Sequence, residues 1–228
     1  VSWAELDALL DRVAAALQRE GVGKDEPVAI AALNSVRTGL AFLGAIRAGA
    51  VAAPLTSTAA PETVLAMLAD SGSRVLLLDA EMADRLAGLP FPAGVRRIAL
   101  DDSAAGEPFS QWIAPEGART EERLPAPGDP FNIIYSSGTT GSPKGIVQSH
   151  KMRHEYARRT ILGGYDDDTC VICSTPLYSN TTLVSFLPTL TAGGKVVLIK
   201  KFDARGFLEL SQRERVTHAM LVPVQYRR

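Results

Sequence analysis

The sequence predicts an α/β fold, with mostly parallel sheets and helices on both faces. Two observations carry that expectation. Short apolar runs, such as 28–33 and 131–135, alternate with longer segments of helical periodicity. A strand that reads as a continuous apolar run is buried on both sides, the situation of a parallel sheet between helix layers. Glycine, proline and short polar residues mark the joints, as Gly49 and Ser71-Gly72 do.

Taken in order, residues 3–17 read as a helix and 28–33 as a strand. An apolar helix over 38–48 stops at Gly49, and 50–54 is a short strand. Pro61 opens a helix to residue 70, its fixed φ suiting the first turn, and Ser71-Gly72 closes it. Strands follow at 74–78, 96–100, 131–135 and 146–148, and Ser149 can cap a helix over 150–162. The alternation then resumes with a strand at 170–174, a helix at 182–191, a strand at 195–199, a helix at 203–213 and a strand at 218–222. Between 101 and 129 the rhythm breaks. Pro108, Pro115, Pro125, Pro127 and several charges make that stretch read as a surface excursion. The chain is expected to divide near residue 125, into an α/β region over 1–125 and a second over 126–228.

A chain of 228 residues can bury a substantial core, and 46% apolar with 21% charged residues is the balance of a soluble globular protein. A net charge of −1 gives no electrostatic draw towards nucleic acid or an acidic membrane. No apolar stretch reaches the ~18 residues needed to span a bilayer. Cys170 and Cys173 sit in an apolar strand, where positions three apart point to opposite faces, so core packing is expected rather than metal or redox chemistry. Two such cysteines fit a reducing, cytoplasmic setting.

The segment Ser137-Gly138-Thr139-Thr140-Gly141-Ser142-Pro143-Lys144-Gly145 follows the strand at 131–135 and carries the chemistry. Its glycines let successive backbone N–H groups point into one concavity, which suits an anion. Ser136, Ser137, Thr139, Thr140 and Ser142 can donate to phosphate oxygens, Lys144 adds a mobile cation, and Pro143 stiffens the exit. The spacing is not that of a Walker A loop, and no G-x-G-x-x-G follows a predicted strand.

That segment resembles the signature [S/T]-G-T-T-G-x-P-K-G of the adenylate-forming superfamily, which includes the acyl-CoA synthetases. Chance would produce such a match in about 10⁻⁷ of chains this long. The likeness extends in register through Ser2-Trp3-Ala4-Glu5-Leu6, Ile46 to Leu55, Pro176-Leu177-Tyr178, Ala192 to Val197 and Leu221-Val222-Pro223. It implies the N-terminal part of the large domain of such an enzyme, with the C-terminal lid domain absent and both ends cut from a longer protein. It also implies a carboxylic acid, ATP and coenzyme A as small-molecule partners, with Mg²⁺. By the same resemblance Ser136, Ser137, Gly138, Thr139, Thr140, Gly141 and Lys144 bind the nucleotide phosphates. Lys144 is the catalytic cation, and Ser136 a Mg²⁺ ligand. Tyr178, Ser179, Asn180 and Thr181 line the approach to the acyl site.

Relatives acting on aryl acids carry a histidine where this chain has Ser179, so a fatty acid is the expected substrate. An aryl-acid ligase, a carrier-protein adenylation domain and a non-catalytic nucleotide-binding module are the alternatives. The superfamily's downstream Y-G-x-T-E, [Y/R]-T-G-D and C-terminal lysine are missing, so the segment alone is expected to be inactive. Arg153, Arg158 and Arg159 read as an exposed helix face, with phosphate or CoA contact as the alternative. Asp166-Asp167-Asp168 reads as a solvated turn, His218 as structural, and His150 as packing at a helix start. A metal shared by His150 and His154 would need a third ligand. The last strand is expected to leave an apolar sheet edge open to a homodimer contact.

Overall fold

The computed structural model describes residues 1–136 and 143–227. The chain forms two compact units, Val1–Ala32 with Arg37–His150, and Leu33–Val36 with Lys151–Arg228. The expected division near 125 is therefore displaced to the start of the helix after residue 149. Its cause is strand pairing: the strand before the Gly/Ser/Thr loop joins the N-terminal sheet in parallel with the strand at 51–54.

In the first unit α1 (Trp3–Arg19) opens with a capping box. Ser2 Oγ accepts from Glu5 N at 3.3 Å, and Ser2 N donates to Glu5 Oε2 at 2.7 Å. There follow β1 (Pro27–Ala31), α2 (Val36–Arg47), β2 (Val51–Pro54), α3 (Pro61–Ser71) and β3 (Val75–Leu78). Next come α4 (Ala80–Arg85), β4 (Arg96–Ala99), β5 (Glu107–Pro108), α5 (Phe109–Trp112), β6 (Pro130–Ser136) and β7 (Lys144–Ser149). These strands form one sheet in the order β5-β4-β3-β1-β2-β6-β7. Every pair is parallel except β6 with β7.

The apolar runs behave as their composition requires. All four residues of β2 and of β3 are buried, and Leu76, Leu77 and Leu78 are fully enclosed. Burial of each such leucine stabilises by about 1.5–3 kcal/mol. Against α1, Gly44 of α2 leaves room for the fully buried Val13: a Cβ there would lie 2.7 Å from the Val13 Cβ.

The stretch 101–129 is not only a surface excursion. It contains β5 and α5, and Trp112 is fully buried with Phe109 beside it at 5.9 Å between ring centroids. Arg12 Nε donates to the Ala114 carbonyl at 2.7 Å, and Arg19 donates to the Trp112 carbonyl. A single helical turn is too short to show a period, so the aromatic pair at i and i+3 was its only sequence trace.

The second unit contains α6 (His150–Leu162), β8 (Cys170–Cys173), α7 (Asn180–Thr191), β9 (Lys195–Leu198), α8 (Ala204–Glu214), β10 (His218–Met220) and α9 (Pro223–Tyr226). Its sheet has the order β10-β8-β9, all parallel. The central strand β8 is buried throughout, and both cysteines are free and buried. Burial raises both thiols above their ordinary range, Cys173 to about 12. All three residues of the edge strand β10 are exposed, the open edge anticipated for the last strand.

Candidate functional site

In the first unit the Gly/Ser/Thr segment joins two antiparallel strands. The register Tyr135↔Gly145 and Ser136↔Lys144 sets Ser136 and Lys144 opposite each other where the hairpin opens. Ser136 is half-buried and Lys144 exposed. Ser137, Gly138, Thr139, Thr140 and Gly141, the expected phosphate ligands, lie outside the described residues, as does Ser142.

The base of the hairpin is fixed from beneath. Tyr135 is buried, and its phenol oxygen lies 3.0 Å from the Met67 carbonyl and 2.9 Å from Asp70 Oδ2, both on α3. Burial, reinforced by the Asp70 carboxylate, pushes the phenol well above its usual range, so Tyr135 stays a neutral donor. Gly145 faces this pair. A Cβ on it would meet Ile133 Cγ2 at 3.1 Å, Tyr135 Cε1 at 3.3 Å and Asp70 Oδ2 at 3.4 Å. The final glycine of the motif is thus a packing requirement, which the sequence reading did not assign. At the other end of β7, His150 meets Phe131 edge-on at 5.0 Å, and burial lowers its pKa. His150 is a packing residue here, while His154 is exposed. Among the described residues no group of three His, Cys, Asp or Glu is placed to hold a metal.

In the second unit, residues 174–182 connect β8 to α7 over a hydrogen-bonded platform. Asn34, buried, donates from Nδ2 to the Thr175 carbonyl at 2.8 Å and accepts at Oδ1 from Leu177 N at 3.1 Å. Thr175 and Thr182 share a hydroxyl–hydroxyl bond of 2.7 Å, and Thr182 Oγ1 donates to the Pro176 carbonyl at 2.6 Å. Ser179 is the N-cap of α7, its Oγ accepting from Thr181 N at 3.3 Å. This cap draws Asn180 and Thr181 into the helix, two residues ahead of the expected start at 182. On this platform Tyr178, Ser179 and Thr181 are half-buried and Asn180 is exposed.

Two residues of this region were not found by sequence reasoning. Asn34 stands in β1's exit, and only its polar type directly after an apolar strand marked it. Arg153 overturns the expected exposed basic face. It is 4% exposed and donates from Nη1 to Asn180 Oδ1 at 3.0 Å, while Arg158 and Arg159 do face solvent. Burial brings the Arg153 guanidinium down to about 10, so it remains a cation at neutral pH. Arg153 and Ala157 share the inward face of α6, and that four-residue spacing was the available signal.

A mostly parallel α/β sheet, with the Gly/Ser/Thr motif between its antiparallel strands β6 and β7, is what the chain presents for comparison. The AMP-binding enzyme model matches residues 1–228, and the chain belongs to that family, within the adenylate-forming superfamily that the hairpin motif resembles. Relatives include "4-coumarate–CoA ligase 5" of Oryza sativa subsp. japonica, 32% identical over 231 residues, covering 98% of this chain and 42% of the relative. "Long-chain-fatty-acid–CoA ligase FadD13" of Mycobacterium tuberculosis (strain ATCC 25618 / H37Rv) is 30% identical over 230 residues, covering 98% of this chain and 44% of the relative. The inhibitor-bound crystal structure of the N-terminal domain of FACL13 from Mycobacterium tuberculosis superimposes with a TM-score of 0.86 at 27% identity, covering 99% of this chain and 56% of that one. The chain thus spans less than half the length of these curated relatives. No helix among the described residues is long and apolar enough to cross a membrane.

Proposed function

We propose that the protein carrying this chain activates a carboxylic acid with ATP and passes the acyl group to coenzyme A. The acid's oxygen attacks the α-phosphorus, the α–β P–O bond breaks, and pyrophosphate leaves with the electron pair. The coenzyme A thiolate then attacks the acyl carbon and displaces AMP. The observation that carries this reading is the Ser137–Gly145 motif, set where β6 and β7 part, in a chain matching the AMP-binding family end to end. Negative charge grows on the departing β,γ-phosphates, and donors fixed there lower the barrier.

Lys144 supplies the cation, and Ser137, Gly138, Thr139, Thr140 and Gly141 the hydroxyl and backbone donors. Ser136 offers one hard hydroxyl oxygen at the strand end, which fits one ligand position of Mg²⁺. Such an ion, when bound, neutralises charge on the pyrophosphate. Tyr178, Ser179, Asn180 and Thr181 contribute to the acid site. Ser179 in place of a histidine supports a fatty acid; the likeness to a 4-coumarate ligase supports an aryl acid as the second reading. Two free, buried cysteines support a cytoplasmic setting.

Pyrophosphate release by the full-length protein over a panel of carboxylic acids tests the reading. Lys144→Ala in that protein is expected to raise KM for ATP by about 10- to 100-fold through loss of charge-assisted bonds. Unchanged ATP kinetics would remove Lys144 from the reaction. The chain of 228 residues alone is expected to show no ATP–pyrophosphate exchange.

A further inference from the structure

Behind the exposed amide of Asn180 stands a cation withdrawn almost wholly from water. A guanidinium has donors and no acceptor. Arg153 Nη1 reaches Asn180 Oδ1 at 3.0 Å, so the amide oxygen is committed to Arg153 and the amide NH₂ faces away from it. The flipped amide would set donors against donors beside a buried charge. The neighbouring backbone is held by the Asn34 and Thr175–Thr182 bonds, so the NH₂ projects from a rigid base. Ser179 Oγ accepts from Thr181 N in capping α7, a bond that fixes the backbone on which Asn180 stands. This corner of the platform therefore offers a donor backed by positive charge, a polarity suited to a carboxylate oxygen.

We infer that Arg153 is a positioning residue for the acid: acting through Asn180 Oδ1, it holds Asn180 Nδ2 as a hydrogen-bond donor to the substrate carboxylate. The inference rests on the acid-activating reading above and deepens it. Asn180 makes the contact and Arg153 makes it directional, although Arg153 itself need never touch the acid.

The test uses the full-length protein, whichever acid drives ATP–pyrophosphate exchange, and three variants. Asn180→Asp keeps an acceptor for Arg153, and adds an ion pair, but loses the outward donor. It is expected to raise KM for the acid by about 10- to 100-fold, with KM for ATP within about twofold and the melting temperature unchanged or higher. Arg153→Met is expected to weaken the acid similarly, and Arg153→Lys, also donor-only, to restore most of it. An unchanged acid KM in Asn180→Asp would overturn the positioning role whatever the Arg153 variants do. So would Arg153→Lys being as impaired as Arg153→Met. If the wild-type protein exchanges pyrophosphate with no acid at all, the acid-activating reading itself fails, an outcome distinct from either.

Discussion

Gly145→Ala probes the hairpin base directly. The added Cβ would sit 3.1 Å from Ile133 Cγ2, 3.3 Å from Tyr135 Cε1 and 3.4 Å from Asp70 Oδ2. Carbon atoms prefer about 3.5–4.0 Å, so the neighbours must retreat by a few tenths of an ångström. Tyr135 has little freedom to do so, being buried and bonded at its hydroxyl to α3. Overpacking of this kind costs about 1–3 kcal/mol. Removing a strand glycine returns about 0.5–1 kcal/mol through the unfolded chain. The net loss is then about 0–2.5 kcal/mol, or a fall of up to about 10 °C in the midpoint for a chain of this size.

Tryptophan fluorescence is the appropriate probe, because both tryptophans, Trp3 and the fully buried Trp112, belong to the first unit. Removing Ile133 Cγ2 relieves the tightest contact, so Ile133→Ala with Gly145→Ala should be less destabilising than the sum of the two single changes. A midpoint that rises in Gly145→Ala, or exact additivity with Ile133→Ala, would refute the packing argument.

Other expectations follow from the same geometry. Cys170 and Cys173 should resist a thiol reagent at pH 8 in the native chain and both react in denaturant, because burial keeps each protonated. Gly44→Ala should destabilise the first unit by about 1–3 kcal/mol despite alanine's helix propensity, and Val13→Ala should relieve part of the loss in urea melts. His150 has a lowered pKa in the fold, so below the unfolded value of about 6.5 the unfolded chain binds more protons. Its contribution is therefore complete above that pH and is lost as pH falls through the folded value. The drop in midpoint between pH 7 and pH 5 should be smaller in His150→Gln than in the parent chain, and an equal drop would exclude His150 as its source.

Strand periodicity carried most of the architecture. The runs at 28–33, 74–78 and 170–174 became β1, β3 and β8 because each is apolar on both faces, a property visible residue by residue. What stayed hidden depended on distant partners. The expected boundary at 125 failed because pairing of Ala52 with Asn132 is a tertiary fact with no local trace. Arg153 read as a surface residue because arginine on a polar helix usually is one, and only the packing of α6 withdraws it. The capping of α7 by Ser179, and with it the helical setting of Asn180, needed the backbone geometry.

The antiparallel turn-back of β6 on β7 has a kinetic corollary. Its contacts close over a short stretch of chain, and hairpins form in about 1–10 μs, whereas the β2–β6 ladder must first join segments far apart in sequence. Ser136 and Lys144, paired across the end of this hairpin, should therefore meet early in folding, before the β2–β6 ladder closes.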